Sequence, residues 1–562
     1  MFVSGLTPGT LSLASGTGVL VPPAAHQTDE GTDSRTRRPS ARRMPDFLDL
    51  TQHLQDVVDS FGLAGMAVGI VKENEVVYAR GFGFENALTR LPITPSTLFH
   101  TASISKTFVA TAVMQLAEQG RIGLDDHLIE HLSYFALADD RYREITIKQM
   151  LIHTSGFPDV EDYEWESPQY DDEALERYVR SLSTEHMIGD PGATWAYSNM
   201  AYDVLGDVIA KSTGMLFEEY EKERVLEAAG MLRSDFLKPE DLPSGWASPH
   251  VLNLTPRVWQ GYPYHRAHAP SSTLHSNVLE LCQWALINLN HGTLGDHSIL
   301  HTSTYSTLWQ QHATFPMGRG LFHSGGGQGI AWAIGDYKGD EIIGHAGSDV
   351  GFTSILILVP QRSIAVVMLC TSANRVTFEI TGMLLDAALG YPFQPLIPPA
   401  SITVCKTLED AGLNAAVEQW NRLQRDHPDE YDFGADHFYL MAEAILERGT
   451  EGEATLLACL FRIIMPEDEV TNAINMLLVR LQEYPEDTIA EVMLNSLRDG
   501  LGCARLGWIS PHISPGLMDG CHVPHGCIVK RSCVRGPRDD DDPAAIPWRE
   551  ETNPGSSALS AI

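Results

Sequence analysis

The sequence predicts an α+β fold: one antiparallel sheet flanked by helices, an all-helical lobe beside it, and a helical appendage at the C-terminus. Three observations carry this prediction. Strand-like apolar segments lie near both ends of the first 400 residues, with a long helical stretch between them. A purely helical pattern then runs over residues 401–500. The composition is that of a globular protein, with 43% hydrophobic and 20% charged residues, which excludes wholesale disorder and fibrous structure. At 562 residues the chain has room for several folding units.

Residues 1–43 are rich in Gly, Ser, Thr and Pro, end in RTRRPSARR, and are expected to be a disordered tail. Met44 is a credible alternative start, because amphipathic pattern begins just after it. Pro45–Ser60 carries Phe47, Leu50, Leu54, Val57 and Val58 at helical spacing, with Gly62 as a stop. GMAVGIVKENEVVYARGFG reads as a hairpin turning at Lys72-Glu73-Asn74. Ser103–Gln119 is a predicted helix, with Phe108, Val109, Ala112, Val113 and Leu116 on its apolar face and Gly120 beyond its end. Another starts at Thr146, with Gln149 completing a capping box.

Residues 159–176 hold nine carboxylates with Tyr163, Trp165 and Tyr170, and read as an exposed loop, either a substrate lid or a solvated insertion. Helices are expected near 200–213, 216–230 and 277–290, then strands at Ile330–Ile334, Glu341–Gly344, Phe352–Val359 and Ile364–Thr371, and a helix near 376–389. In the appendage, helices at Leu408–Gln424, Ala435–Leu446, Ala454–Ile464 and Val470–Gln482 are separated by Pro428, Gly449, Pro466 and Pro485. They look like degenerate tetratricopeptide units, although the spacing from Pro428 to Pro466 (466 − 428 = 38) misses the ~34-residue period. This region is either a partner-binding platform or a clamp on the preceding domain. Residues 501–562 are an expected disordered tail.

The 39 Lys+Arg against 73 Asp+Glu give a net charge of −34, which repels phosphate backbones, so nucleic acid is not an expected partner. No apolar run reaches the ~18–20 residues of a membrane span. The best candidate, Ile355–Val359 with Ile364–Leu369, is split by Pro360, Gln361 and Arg362. Eight cysteines without a CxxC pair favour reduced thiols and a cytoplasmic location. The first residues lack the basic segment of a signal peptide.

Three short motifs carry chemistry. In Ser103-Ile104-Ser105-Lys106, positions i and i+3 share a helix face, so a hydroxyl and an amine can meet. An amine of lowered pKa activates a serine, and a helix N-terminus aims N–H groups at a developing oxyanion. In Tyr197-Ser198-Asn199, a phenol can act as base beside cations and an amide can donate to a substrate carbonyl. In His345-Ala346-Gly347-Ser348, small residues at the end of a strand let substrate backbone approach, and the N–H of Ser348 can complete an oxyanion hole. Singly, each motif is also an N-cap serine, a packed tyrosine and a turn glycine. Their order and placement together make them informative.

With these motifs the chain resembles the serine β-lactamase and penicillin-binding protein family, in its class C and related esterase branch, over about residues 45–390. LIHTSGFPD (151–159) and APSSTLHSNVLELCQW (269–284) support the resemblance. It implies a β-lactamase-related catalytic domain over 44–395, with Ser103 as acyl-enzyme nucleophile, Lys106 as its partner and Tyr197 as general base. It further implies that Asn199 orients the acyl group, His345 and Gly347 line the strand side, and the N–H groups of Ser103 and Ser348 hold the oxyanion. No cofactor or metal is implied. Where many relatives have Lys-Thr-Gly, this chain has His345-Ala346-Gly347, and a histidine is mostly neutral at pH 7. That shifts the expected substrate from a β-lactam or peptidoglycan to a small ester or amide. The same residues also fit an acyltransferase of secondary metabolism. A catalytically silent protein-binding scaffold is the rival outside enzymes.

Other features have plain readings. Ser105 points away from Ser103 and is expected to be structural. Trp195 is either a pocket liner or a core residue. His127 and His131 have i,i+4 spacing but no HExxH context, and His265 and His268 are as uninformative. Cys503, Cys521, His522, His525, Cys527 and Cys533 have no standard zinc-finger spacing.

Overall fold

The computed structural model describes residues 47–295, 297–314, 326–372 and 376–499. The two tails, Met44 and the C-terminal Cys/His tract lie outside the described residues. The sheet comprises β1 (Gly65–Lys72), β2 (Glu75–Gly83), β3 (Ala313–Thr314), β4 (Gly327–Gln328), β5 (Ala333–Tyr337), β6 (Asp340–Asp349), β7 (Phe352–Val359) and β8 (Ile364–Cys370). Its order is β2-β1-β8-β7-β6-β5-β4-β3, antiparallel throughout. Strands from the two ends of the domain close it: β1 pairs with β8 from Met66↔Cys370 to Lys72↔Ile364.

The continuous apolar runs of the central strands follow from burial on both faces. Met66, Val68 and Ile70 of β1 point into one cluster, and Ala67 and Val71 into another. The first cluster is covered by α1 (Leu48–Ser60) and a helix over Val376–Leu389, through Leu54, Val58, Ile380 and Leu384. The second cluster joins the sheet to the helical lobe. That lobe contains α2 (Ser105–Glu118), α3 (Asn199–Thr213) and α4 (Val278–Leu289), with Phe108 stacked on Trp284 at 4.1 Å.

Three expectations for the catalytic region are corrected. Of the strand expected at Ile330–Ile334 only Ala333 and Ile334 are in a strand, the start of β5. Ile330, Ala331 and Trp332 form a buried reversal between β4 and β5, with Ala331 at φ +63° and the Gly329 N–H donating to Trp332 O. The strand expected at Glu341–Gly344 continues to Asp349, so the His345-Ala346-Gly347-Ser348 motif lies within β6. β5 pairs with residues 340–344 of β6, so among the described residues 345–349 have one strand neighbour, β7, and one open edge. The helix expected at 216–230 is a short turn, Phe217–Tyr220, that widens into a π-helix at Glu221–Leu226.

The appendage has six helices where four were expected: α6 (Ala400–Ala411), α7 (Leu413–Asp426), α8 (Asp436–Arg448), α9 (Glu451–Ile464), α10 (Glu467–Glu483) and α11 (Thr488–Asp499); with the Val376–Leu389 helix as α5, these follow in chain order. Gly412, at φ +84°, splits the helix predicted over Leu408–Gln424. Trp420, Phe438, Met441, Leu457 and Phe461 form the core of this unit. Among the described residues no helix is long and apolar enough to cross a membrane. Cys282, Cys370 and Cys405 are free and buried, whereas Cys459 is disulfide-bonded, a departure from the expected reduced thiols.

Glu221 is fully buried at the start of the π-helix, and neither carboxyl oxygen has a hydrogen-bond partner. Burial raises its pKa well above the ordinary value. Burial therefore favours the neutral form of the carboxyl. Its contribution to stability is complete below the unfolded pKa of ~4.3 and is lost as pH rises toward the folded value. Glu221→Gln is expected to match wild type near pH 4 and to be more stable by about 1–3 kcal/mol at pH 8. Denaturant melts at both pH values check this, and an equal difference at the two pH values contradicts it.

Candidate active site

Thr101 to Lys106 turns sharply out of the sheet into α2. Ala102 takes φ +46°, a left-handed conformation that costs an alanine about 1 kcal/mol or more. A 3₁₀ turn at Ala102–Ile104 follows, held by the Ser105 hydroxyl donating to Ala102 O at 2.7 Å. Ser105 is structural in this geometry. The result is selective exposure: from Thr97 to Met114 every residue is buried except Ser103.

Lys106 follows one turn later and is 0% exposed. Its ammonium donates to Ser103 Oγ at 3.0 Å, Asn199 Oδ1 at 2.5 Å and Ser271 O at 2.7 Å, which uses all three protons. Burial pulls its pKa down to about 8, against the opposing pull of Asp203, Asp159 and Asp349. Asp203, also buried, fixes the acceptor turn: its carboxylate accepts from the Ser271 N–H at 3.1 Å and meets His268 Nδ1 at 2.7 Å.

Tyr197 lies just ahead of α3, whose N-cap Ser198 accepts from the Ala201 N–H. The Tyr197 hydroxyl donates to Ser103 Oγ at 2.9 Å. Its ring stacks on His153 at 4.2 Å, and His153 itself sits at φ +57°. The serine, lysine and tyrosine of the motifs thus converge on one hydroxyl oxygen.

Asn199 does not present its amide as expected. Its carbonyl is taken by Lys106. Its Nδ2 donates to Asp159 Oδ1 at 3.0 Å, and its backbone N–H donates to the same oxygen at 2.7 Å. It bridges an ammonium and a carboxylate instead of facing an open pocket. Asp159, counted in the sequence only as one carboxylate of an acidic loop, is therefore part of the site.

The open edge of β6 runs past Ser103. A Cβ built on Gly347 would lie 2.4 Å from Thr101 O, 2.6 Å from Ser354 Oγ and 2.8 Å from the Ser103 nitrogen. Glycine is required there by the close approach of two backbones. Ser354, opposite Gly347 in β7, donates to Thr101 O at 2.5 Å and ties the sheet to the Ser103 turn. His345 is 8% exposed and its Nδ1 meets Ala346 O at 2.6 Å, the geometry of an Nδ1–H donor. Burial and the nearby Lys106 charge push its pKa down to about 3. Ser348 is half-buried in the same strand, paired with Thr353.

The 159–176 loop is tied down. Arg266 donates to Tyr170 O at 2.8 Å and to Asp172 at 2.6 Å, and its buried guanidinium also meets Glu218 at 2.8 Å. Trp195 packs near Tyr197, donates to Gln328 and lines a cavity of about 670 Å³ with Thr154, Gly192 and His312. His127 caps a short helix and His131 bonds Asp126.

A sheet with one open edge, packed against a helix that begins Ser-x-x-Lys, defines a class: penicillin-binding proteins and the serine β-lactamases related to them. Residues 50–389 match the family described as Beta-lactamase, and the chain belongs to that family. It is 25% identical to Protein flp of Staphylococcus aureus (strain MRSA252) over 314 residues, 55% of this chain and 59% of that protein, so it spans less than two thirds of that relative's length. It is 26% identical to Penicillin-binding protein 4 of Amycolatopsis lactamdurans over 328 residues, 56% of this chain and 84% of that one. The octameric penicillin-binding protein homologue from Pyrococcus abyssi superposes with a TM-score of 0.55 at 27% identity, covering 65% of this chain and 82% of that one. EstCE1, a hydrolase with promiscuous acyltransferase activity, shares the fold with a TM-score of 0.51 at 22% identity, over 60% of this chain and 97% of its own.

The tight contact at Gly347 makes a specific demand. Gly347→Ala is expected to lower stability by about 1–3 kcal/mol, because neither backbone neighbour is a flexible side chain that can yield. Denaturation midpoints measure this, and an unchanged midpoint refutes the close approach.

Proposed function

We propose that the chain is a serine hydrolase that cleaves a small, uncharged ester or amide through an acyl-enzyme on Ser103. One observation carries the reading: Ser103 Oγ lies within hydrogen-bond distance of both Lys106 Nζ and Tyr197 OH. The fraction of Lys106 that is neutral near its pKa of about 8 draws the serine proton, directly or through the Tyr197 phenol. Ser103 Oγ then bonds the substrate carbonyl carbon, and the carbonyl electrons move onto oxygen, where the N–H groups of Ser103 and Ser348 are the proposed partners. The same proton passes by way of Tyr197 to the departing alcohol or amine as its bond to carbon breaks. Water enters where the leaving group left and gives a proton to the Tyr197–Lys106 pair as its oxygen bonds the acyl carbon; the Ser103 Oγ–carbon bond then breaks, the proton returns to Ser103 Oγ, and the acid leaves.

The substrate's lack of charge follows from the walls. His345 stands neutral where a lysine would grip a carboxylate, and Lys106 spends its protons inside the protein. Asn199 and Asp159 act in this reading as positioning residues for Lys106, with Asn199 reaching substrate only if Asp159 releases it. An alcohol or amine in place of water makes the same machinery an acyltransferase. Product analysis with an alcohol present separates the two outcomes.

Ser103→Ala is expected to lose covalent labelling by a fluorophosphonate and to lower ester turnover by more than about a thousandfold. Full labelling of that variant defeats the nucleophile assignment. The rate is expected to rise with pH through about 8, as Lys106 loses its proton. Asp159→Asn removes a charge that holds the Lys106 pKa up, so its rising limb should move to lower pH. A limb that stays put, or moves up, contradicts the electrostatic coupling.

A further inference from the structure

We propose that the C-terminal helices are a specificity element of the Ser103 site, acting through the hairpin at residues 250–258 to complete a wall that selects an apolar, aromatic acyl group. The proposal rests on the reading of Ser103 as the reacting residue. The hairpin pairs His250↔Val258, Val251↔Arg257 and Leu252↔Pro256, and it faces two ways.

On its outer side it belongs to the helices. Leu254 is part of their hydrophobic core, with Leu252 packed against it. Two carboxylates grip the tip. Glu409 of α6 accepts from Thr255 at 2.5 Å and from Arg257 at 2.6 Å, and Glu453 of α9 accepts from Asn253 at 3.2 Å and lies 3.0 Å from the Arg257 Nε.

On its inner side the hairpin abuts the turn that follows β6. The His250 N–H donates to Thr371 O at 3.1 Å and to Gly351 O at 3.4 Å. A Cβ on Gly351 would lie 2.4 Å from that of Pro249. Gly351 is three residues beyond Ser348. Displacement of the hairpin therefore bears directly on the strand end that faces Ser103.

The chain leaving the hairpin supplies the aromatic surface. The Trp259 N–H donates to Pro249 O at 2.9 Å, and its indole lies 6.3 Å from Trp165, which stacks on Tyr163 at 5.0 Å. Tyr262, one turn on, lies 5.6 Å from Phe352 and 6.2 Å from His100, three residues before Ser103. This aromatic course spans from the Asp159 loop to the end of β6, with Trp165 and Trp259 only half-buried. Its outer end is capped from the appendage: the guanidinium of Arg448, the last residue of α8, stands 5.5 Å from the Trp259 ring. Lys238, 5.0 Å from the Tyr262 ring, donates to the Pro239 and Glu240 carbonyls, so it is engaged on its own loop. Among the described residues the cations beside these half-exposed π faces are engaged, Lys238 on its loop and Arg448 with Glu447, so the faces fit an aryl group and discriminate little among charged ones.

The test separates binding from chemistry. In a Ser103→Ala background, calorimetric titration compares N-phenylacetylglycinamide with N-acetylglycinamide, both uncharged. The phenylacetyl probe is expected to bind at least about tenfold tighter. Trp259→Ala should remove most of that preference, Trp259→Phe should keep it, and Arg448→Ala should reduce it about two- to fivefold, with acetyl binding unchanged in each. Should Trp259→Ala fail to fold, Arg448→Ala decides alone, since that side chain lies at the end of a surface helix. No preference in the parent, or a preference untouched by Arg448→Ala, overturns the proposal. Turnover of phenylacetyl esters by the wild-type chain is read separately. Turnover without the binding preference overturns the wall and leaves the hydrolase standing, and the preference without turnover does the reverse.

Discussion

The site depends on the burial of one ammonium group. Lys106 has no contact with solvent, and an unpaired charge in that position would cost several kcal/mol. It is tolerated because three acceptors meet it, one local and two from distant segments: a serine hydroxyl one turn away, a side-chain amide at the start of α3 and a main-chain carbonyl before α4. Each acceptor is held by something else. Asp159 grips Asn199 twice, and Asp203 grips the turn that carries Ser271. The requirement to satisfy a buried cation thereby organises the helical lobe around the serine. The same desolvation brings the lysine's pKa into a range where it can exchange a proton.

The sheet supplies the opposite wall. β7 and β8 are buried on both faces, so their register is well determined, and β6 inherits its position from them. Pairing with β5 ends at Gly344, after which β6 has an unpaired edge among the described residues. The Ser103 turn approaches that edge so closely that only glycine fits at 347. A strained Ala102 and a side-chain-free Gly347 are two halves of one contact, which brings the Ser103 nitrogen and the strand backbone together.

Much of this was legible in the sequence, for physical reasons that can be named. The first hairpin, α2 and the closing strands announce themselves because apolar runs there end at glycines, an asparagine or a proline. The residue types at Ser103, Lys106, Tyr197 and Gly347 stand in ordered motifs. The misses share a cause, which is that the decisive feature has no residue signature. The turn at Ile330–Trp332 is apolar because it is buried, so it imitates a strand, and the positive φ of Ala331 leaves no trace in composition. The break at Gly412 hides because Leu408, Leu413 and Ala416 keep helix-like spacing across it. Asp159 was one of nine carboxylates in a stretch that reads as solvated, Asp203 was one polar residue within a helix, and the Ser271 acceptor is a carbonyl that any residue would supply.

The charges around Ser103 limit what the site can hold. Among the described residues one cation, Lys106, faces it, and that cation feels the charges of Asp203, Asp159 and Asp349, the last of which is 2.6 Å from His100. The strand that would offer a second cation offers His345, whose pKa burial and the Lys106 charge push down to about 3, away from the charged form. An anionic ligand entering this space would meet carboxylates without a compensating donor of full charge, in surroundings where such interactions are weakly screened. A neutral acyl group meets no such barrier and, on the proposed reading, gains from the aromatic surface between Tyr163 and Tyr262. In the proposed reading, the departure from Lys-Thr-Gly is one expression of a site in which positive charge is reserved for moving a proton.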